Sequence, residues 1–320
     1  MKAFTIGTND AGQRLDRFLF RVMPGVSQGV VYSSLRKKKV RINGKRITDG
    51  SLRLAEGDRA ELYISDEYFP EDAPLPFWAS LTPKLSVVYE DVHILVMNKP
   101  SGLLSQGEDG QESLEAHMRA YLLKKGTFNP GQENGFLPSL CHRIDRNTAG
   151  LVIGAKDAES LRILNRKIRD KEIRKFYLCE TEGTPKPERG QLSGWLIKTG
   201  AERKMRFSAV QTPGAVPCQT RYRVLKRGAS ALVEAELLTG RTHQLRAGFA
   251  HLGHPLIGDV KYGAGQDGKR DFQHLVAYRL VFDFRTDSGI LSPLKGLEIV
   301  LKPEGLPDWG KEYAHGYCNF

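Results

Sequence analysis

The charge of the chain reverses sign near residue 61, and this reversal divides the sequence into two parts of different composition. Basic side chains dominate the first part: Arg14, Arg17, Arg21, Arg36, Lys37, Lys38, Lys39, Arg41, Lys45, Arg46, Arg53 and Arg59. The next segment, ELYISDEYFPEDAPLPFWAS, has five acids, three prolines and no lysine or arginine. Proline cannot continue a helix or occupy a central strand. We therefore expect two domains, residues 1–64 and 85–320, joined by a linker over residues 65–84.

Local patterns in the basic part predict two short helices followed by a hairpin. Apolar residues recur at helical spacing from Leu15 to Val22, and a Pro-Gly pair ends that helix. Ser27 is a suitable N-cap for a second helix through GVVYSSLRKKK. The dipeptide Asn43-Gly44 then lies between two β-prone runs, which is the strongest local signal of a β-hairpin.

Several basic side chains of this part are candidates for RNA binding: Arg14, Arg17, Arg36, Lys37, Lys38, Lys39, Lys45 and Arg46. A run of charge is often only a solvated face, and the residues alone leave the two interpretations open. The order of elements resembles the alpha-L RNA-binding module found in a small-subunit ribosomal protein and in tyrosyl-tRNA synthetases. The resemblance rests on RLDRFL, SSLRKKKVRINGKRI and LAEGDRAEL within residues 13–64. It implies that this part binds RNA phosphates.

The composition of the whole chain points to a polyanionic partner. The chain has 320 residues and a net charge of +11, which predicts attraction to nucleic acid or to a membrane surface. We expect a cytoplasmic protein, because the sequence shows no signal peptide and no run long enough to span a bilayer. The four cysteines, Cys141, Cys179, Cys218 and Cys318, form no CxxC pair and are expected to be buried thiols.

After the linker, many strand-like runs are interrupted by a few helices. KLSVVYEDVHILVMNK, IRKFYLCETE, QTRYRVLKRG and SALVEAELLTG predict strands, the last two as antiparallel neighbours. ESLEAHMRAYLLKK predicts a helix, Asp157 is a possible cap for a second helix, and Thr242 is a possible cap for a third. Because strands and helices do not alternate regularly, the pattern favours an α+β fold.

The stretch LPSLCHRIDRNTAGLVIGAKD, residues 137–157, places Asp145 beside a turn. Asn147, Thr148 and Gly150 are sufficient to form that turn, so the carboxylate needs another explanation. By residue type alone, an aspartate beside a turn more often caps backbone amides or pairs with an arginine than acts in catalysis.

Two longer segments extend this observation. HRIDRNTAG and GRTHQLRAGFAHLGHPLIGDVKYG together resemble the RluA family of pseudouridine synthases, with NKPSGLL and KFY in the expected order. The resemblance covers about residues 85–285. It implies a pseudouridine synthase fold, with a central, mostly antiparallel sheet, flanking helices and a cleft. It also implies an isomerase that breaks the C1′–N1 bond of uridine, rotates the uracil and joins C5 to the same sugar.

By this resemblance Asp145 is the catalytic aspartate. Its oxygen could attack the sugar, attack the uracil ring or take a sugar proton, and the sequence leaves these routes open. Arg246 is the implied cationic partner, which is needed because desolvation favours the neutral form of a carboxyl group. Tyr177 is implied to stack on the base, and its hydroxyl could assist proton removal from C5. Arg143 is implied to fill the gap left when the uridine flips out of its stack.

Without the resemblance, Tyr177 would be interpreted as a core aromatic and Arg246 as a surface arginine. The sequence departs slightly from the family motifs at Ile144, at Ala149 and in the segment HLVAYRL. These differences are small and remain compatible with the turn and the pocket. Four histidines lie near the matched segments: His142, His243, His251 and His254. They form no recognisable cluster with acids or cysteines, and the isomerisation needs no metal or redox step. We therefore expect neither a metal nor a cofactor.

Large-subunit ribosomal RNA is the expected substrate, because family members with this N-terminal module usually act there, and transfer RNA is the alternative. A ribosome-assembly factor that kept the fold and lost activity is a competing interpretation. A hydrolase of N-glycosidic bonds is another, because such an enzyme also places a carboxylate near a sugar. We expect a monomer.

Overall fold

The computed structural model describes residues 1–69, 76–108, 110–134, 136–200, 204–265 and 272–311. The helices of this part are α1 Leu15–Val22, α2 Gln28–Arg36, α3 Leu114–Lys124, α4 Ala158–Arg169 and α5 Gln244–His251. The strands are β1 Lys2–Thr5, β2 Val40–Ile42, β3 Lys45–Arg46, β4 Arg59–Leu62, β5 Ser86–Glu90, β6 Ile94–Lys99, β7 Ser139–Leu140, β8 Ala149–Ala155, β9 Ile173–Glu182, β10 Arg189–Thr199, β11 Lys204–Ser208, β12 Val216–Lys226, β13 Ser230–Leu237, β14 Leu275–Phe282 and β15 Glu298–Val300.

The first four strands and first two helices form a small N-terminal domain. Its antiparallel sheet has the strand order β1, β4, β2, β3. Apolar side chains of α1 and α2, among them Phe18 and Leu35, are buried in one cluster with the sheet. The predicted hairpin is confirmed, since Asn43 and Gly44 have φ angles of 50° and 77°. A type I′ turn requires such positive angles at both central positions.

Residues at both ends of the predicted linker pack into hydrophobic cores. Phe69 is buried in the core of the small N-terminal domain. Trp78 packs against Phe128 in the core beside the large sheet, with ring centroids 6.2 Å apart. Residues 70–75 lie outside the described part of the chain. The domain bounds 1–64, 65–84 and 85–320 stay a prediction, to which the structure adds that both ends of the linker are anchored.

Hydrogen bonds hold the small domain against the start of α4. The side chain of Asn9 donates to Glu133 Oε1 at 2.8 Å and accepts the amide of Ala158, the first residue of α4, at 3.0 Å. One turn farther along the helix, Arg162 donates to the carbonyl oxygen of Ala11 at 2.9 Å. The orientation of the small domain is therefore set by polar contacts with the large one.

The large sheet follows the order β11, β10, β12, β13, β9, β14, β8, β6, β5, with β15 beside β14 and β7 beside β8. Among the described strands only β8 and β14 run parallel, and the other neighbours are antiparallel. The predicted α+β fold with a mostly antiparallel sheet is therefore confirmed, as is the antiparallel pairing of β12 with β13. Strands β10, β11, β14 and β15 are not among the predicted elements.

The parallel contact between β8 and β14 depends on a glycine. Gly150 pairs with Ala277 and has a φ of 115°. A Cβ atom at Gly150 would lie 2.2 Å from the carbonyl oxygen of Ala277, so no other residue fits. On its other side Ala277 pairs with Tyr177 of β9. This row across the sheet brings the segment before Gly150 next to Tyr177.

Three of the four cysteines are confirmed as buried thiols: Cys141, Cys179 and Cys218. Cys318 lies outside the described residues. No helix in the described part of the chain is long and apolar enough to cross a membrane.

Candidate active site

Asp145 lies in the connection between β7 and β8, and that connection is fixed by backbone contacts. The hydroxyl of Ser105 donates to the carbonyl oxygen of Ile144 at 2.7 Å, and its oxygen accepts the amide of Ile144 at 3.1 Å. The amide of Thr148 donates to the carbonyl oxygen of Asp145 at 3.0 Å and closes the turn. Among the described residues no backbone amide donates to the carboxylate of Asp145. The carboxylate therefore does not cap the turn.

Lys99 at the end of β6 ties a neighbouring loop to the Asp145 segment. Its side chain is fully buried, and its ammonium donates to the carbonyl oxygens of Pro100, Leu103 and Arg146 at 2.9, 2.8 and 2.8 Å. Burial lowers the pKa of Lys99 to about 8, against the opposing effect of the Asp145 charge. These three bonds tie the loop after β6 to the residue that follows Asp145.

Arg246 of α5 lies beside Asp145. Its Nε and Nη2 atoms each donate to an oxygen of Asp259 at 2.7 Å, and its Nη1 atom lies 3.5 Å from Asp145 Oδ2. Burial acts to lower the pKa of Arg246, but the hydrogen bonds and charge of Asp259 outweigh this effect and raise it. Asp259 therefore orients the guanidinium so that its remaining nitrogen faces Asp145.

Helix α5 begins differently from the prediction. Thr242 is not its cap, and that prediction is wrong, because His243 occupies the N-cap position with φ 53° and ψ 23°. The amide of Arg241, in the turn before the helix, is instead accepted by Gln244 Oε1 at 3.1 Å. A side chain inside the helix therefore closes the turn that precedes it.

His243 points its ring toward the same carboxylate. Its Nε2 atom lies 3.9 Å from Asp145 Oδ2, and its Nδ1 atom lies 2.8 Å from the hydroxyl of Tyr262. Two cations lie over the Tyr262 ring, Arg246 at 5.0 Å and Lys204 at 5.2 Å from its centroid.

Tyr177 of β9 lines the cleft close to Asp145. The residue is 5% exposed. Burial raises the pKa of its phenol, and the negative charge of Asp145 raises it further. The sequence-predicted trio Asp145, Tyr177 and Arg246 therefore lies in one cleft, although the three side chains come from different parts of the sheet and from α5.

The cleft has a volume of about 710 Å³. This lies within the range of roughly 300–1,000 Å³ typical of small-ligand sites. Cationic side chains are frequent along its lining: Arg143, Arg146, Arg169, Lys171, Arg174, Lys175 and Arg241. Arg143, which the sequence places at the site, is exposed there. Such a lining suits a polyanionic ligand.

The predicted RNA-binding side chains of the small domain do not line this cleft. They are exposed on the small domain: Arg14, Arg17, Arg36, Lys37, Lys38, Lys39, Lys45 and Arg46. Arg14 differs from the rest because it forms an ion pair with the buried carboxylate of Asp16 at 2.7 Å. Its guanidinium is therefore partly engaged within the domain.

Four side chains that hold the site are missing from the sequence-predicted set: Lys99, Ser105, Asp259 and Tyr262. The segments NKPSGLL and GDVKYG, which belong to the family motifs, contain three of them. These motifs therefore pointed to the right part of the chain but did not show which side chains contact the site. Ser105 has no such signal. Within the described residues, no group of three or more His, Cys, Asp or Glu side chains could hold a metal ion.

Comparison with known proteins identifies two families of domain. A family model described as RNA pseudouridylate synthase matches residues 93–251, and an S4 domain model matches residues 13–59. The Ribosomal large subunit pseudouridine synthase C of Vibrio cholerae is 35% identical over 260 residues, which cover 79% of this chain and 78% of the relative. The protein of the same name from Escherichia coli is 34% identical over 266 residues, 82% and 80% of the two chains.

Solved structures agree on the fold. Human RNA Pseudouridylate Synthase Domain Containing 4 superposes with a TM-score of 0.56 at 24% identity, covering 72% of this chain and 92% of that one. Human RNA Pseudouridylate Synthase Domain Containing 1 gives the same TM-score at 22% identity, covering 76% and 89%.

Proposed function

We propose that this chain, which belongs to the RluA family of RNA pseudouridine synthases, converts uridines of large-subunit ribosomal RNA to pseudouridine. Family membership makes the protein an RNA isomerase. The choice of ribosomal RNA is supported by relatives from Vibrio cholerae and Escherichia coli that are named as large-subunit enzymes. We further propose that the protein acts as a cytoplasmic monomer without a metal or cofactor.

The observation that carries the proposal is the Asp145 carboxylate, 26% exposed, 3.5 Å from a guanidinium in a cation-lined cleft. Asp145 is the proposed catalytic residue, and its oxygen acts on the sugar, on the uracil ring or on a sugar proton. Arg246 stabilises the negative charge of that oxygen, and this effect strengthens when bound RNA displaces water from the cleft. Because Asp259 fixes the guanidinium, little reorganisation is needed when the substrate binds.

Tyr177 acts in the proposed reaction as a neutral phenol. Its raised pKa keeps the proton on the hydroxyl near neutral pH, so it does not serve as a preformed phenolate base. Its ring offers a surface on which the flipped uracil can stack. Arg143, exposed at the cleft, is the proposed side chain that fills the gap left in the RNA stack.

The first test concerns Asp145. Asp145→Asn should abolish pseudouridine formation, because the amide is a poor nucleophile and base, while RNA affinity should stay within about threefold, since phosphate contacts dominate affinity. Tritium release from RNA labelled at uridine C5 measures turnover, and pseudouridine mapping in total RNA with and without the protein identifies the substrate. Asp283→Asn is the matched control, because Asp283 is exposed and does not line the cleft.

Substantial turnover by Asp145→Asn would reject the catalytic assignment. Modification confined to transfer RNA would reject the ribosomal substrate and leave the isomerase, and release of free uracil would indicate the hydrolase instead.

The second test concerns the exposed lysines of the small domain. Replacing Lys37 and Lys39 by Ala should raise the KM for structured RNA and leave the single-turnover rate at saturating RNA nearly unchanged. Loss of two phosphate contacts should flatten the slope of log affinity against log salt by about 1.4 to 1.8. The control replaces Lys295 and Lys302, which are exposed and lie outside the cleft lining. An equal change in both pairs would contradict RNA binding by the small domain.

A further inference from the structure

The hydrogen bonds around Tyr262 determine which nitrogen of His243 carries a proton. The backbone amide of Met205 on β11 donates to the Tyr262 hydroxyl oxygen at 2.9 Å. The same hydroxyl lies 2.8 Å from His243 Nδ1. A phenol has one proton to donate, and among the described residues the acceptor recorded within reach of that proton is Nδ1, so the phenol donates to Nδ1. In a neutral imidazole whose Nδ1 accepts, the proton resides on Nε2.

That Nε2–H group faces the reacting carboxylate. His243 Nε2 lies 3.9 Å from Asp145 Oδ2, and Arg246 Nη1 approaches the same oxygen at 3.5 Å. Among the described residues no hydrogen bond reaches Asp145 Oδ1. Two donors therefore converge on one oxygen of the carboxylate, while its other oxygen is left open to the cleft.

His243 has an unusual backbone conformation for a residue at the start of a helix. Its φ of 53° lies in the left-handed region, which only a few per cent of non-glycine residues adopt, histidine among the more frequent of them. The side chain makes no capping hydrogen bond to the helix that follows, whose first turn is instead joined to His243 through its carbonyl oxygen, which accepts the amide of Ala247 at 2.9 Å. Strain of this kind at an active site supports a functional role for the side chain.

His243 is held in its neutral form mainly by burial, which lowers its pKa. Burial lowers the pKa of His243; the negative charges of Asp145 and Asp259 oppose this effect, and the positive charges of Arg246 and Lys261 add to it. A neutral ring retains the single Nε2–H donor that Tyr262 selects.

We propose that His243 is a positioning residue for the reaction of Asp145. Its Nε2–H group, together with Arg246, holds Oδ2 and presents Oδ1 to the uridine, and Tyr262 acts through His243 by fixing its tautomer. The two donors close on Oδ2 when substrate displaces water, as catalytic hydrogen bonds often do. This inference rests on the proposed pseudouridine synthase activity.

Two substitutions of His243 distinguish positioning from a structural role. Gln can place an amide donor at the reach of Nε2, whereas Asn reaches only the position of Nδ1. Asn, however, tolerates the left-handed backbone better than Gln. If His243 positions Asp145, His243→Gln should keep kcat within about fivefold of wild type, and His243→Asn should lower kcat by about 10- to 100-fold. KM should change little in both variants, because misplacing a reacting group slows the chemical step. A structural role predicts the reverse order, together with a lower melting temperature for Gln.

Tyr262→Phe tests control of the tautomer, because it keeps the ring beside Arg246 and Lys204 and removes only the hydroxyl. In the wild-type background it should lower kcat by about 10-fold, since Nδ1 can then carry the proton. In the His243→Gln background it should change kcat by less than about twofold, because an amide donor needs no tautomer. Equal losses in the two backgrounds would overturn the role of Tyr262.

The assay is single-turnover pseudouridine formation with wild type and Asp145→Asn measured alongside. If wild type modifies no RNA, the proposed function fails and this inference fails with it. If wild type is active, Asp145→Asn is inactive and His243→Asn is at least as active as His243→Gln, only the positioning role is overturned.

Discussion

Replacing Arg246 by Met should affect stability and turnover through two separate contacts. The guanidinium donates to both oxygens of Asp259 and places a third nitrogen beside Asp145. The Arg246–Asp259 pair is deeply buried, with side chains 10% and 1% exposed. Met therefore leaves the Asp259 carboxylate without its hydrogen-bonded cation in the protein interior.

The size of the effect follows from this burial. Removing one partner of a buried ion pair typically costs about 3 to 5 kcal/mol, because the other charge stays desolvated. Replacing both partners by apolar residues is often nearly neutral. We expect Arg246→Met to lower the free energy of unfolding by about 3 to 5 kcal/mol and the melting temperature by about 6 to 20 °C. The double variant with Asp259→Val should recover most of that stability.

Turnover should not recover in the double variant, because Asp145 still lacks Nη1. Urea unfolding with linear extrapolation measures stability, and single-turnover pseudouridine formation measures the chemical step. If Arg246→Met is as stable as wild type, the buried carboxylate of Asp259 does not need the guanidinium of Arg246 for the stability of the fold. If the double variant regains the wild-type rate, Arg246 has no role in catalysis beyond holding the fold.

Three further predictions concern side chains and backbone around the site. Lys99→Met should lower stability by about 2 to 5 kcal/mol and slow turnover, because three carbonyl oxygens lose a fully buried donor. Ser101→Ala, which removes an exposed bond between the same loops, should cost less than about 1 kcal/mol, and similar urea midpoints for the two variants would contradict this. Gly150→Ala should prevent folding or lower stability by more than about 4 kcal/mol, because its Cβ meets the backbone of β14. Gly25→Ala is also at positive φ but has open space around it, so thermal unfolding should show a cost of about 1 to 2 kcal/mol. Burial lowers the pKa of His142 to about 3, so the unfolded chain takes up a proton first as the pH falls. The free energy of unfolding of wild type should therefore decrease, relative to that of His142→Gln, by about 1.4 kcal/mol for each pH unit from pH 6.5 down to about 3. Parallel curves of stability against pH for the two proteins would refute this.

Local features of the sequence determined several parts of the fold by themselves. Asn43-Gly44 predicts the hairpin because few other residue pairs adopt two successive positive φ angles, and the angles are observed. Asp157 caps α4 by accepting the amide of Ser160 at 2.7 Å, a contact that spans three residues. Such features depend on neighbours in the chain, so residue types at short spacing are sufficient to predict them. The family motifs likewise indicated Asp145, Tyr177 and Arg246 as candidate active-site residues, and their roles stay proposals.

How those side chains are held depends on contacts between distant parts of the chain. Asp145 and Arg246 are 101 residues apart in the chain, and Lys99 donates to a carbonyl 47 residues away. Which groups meet across such distances depends on which strands pair and which charges are buried together, and no local pattern records this. The start of α5 shows the same limit. Thr242 is a favourable cap by residue type, but His243 occupies the N-cap position, and its ring lies 2.8 Å from the hydroxyl of Tyr262 and 3.9 Å from Asp145.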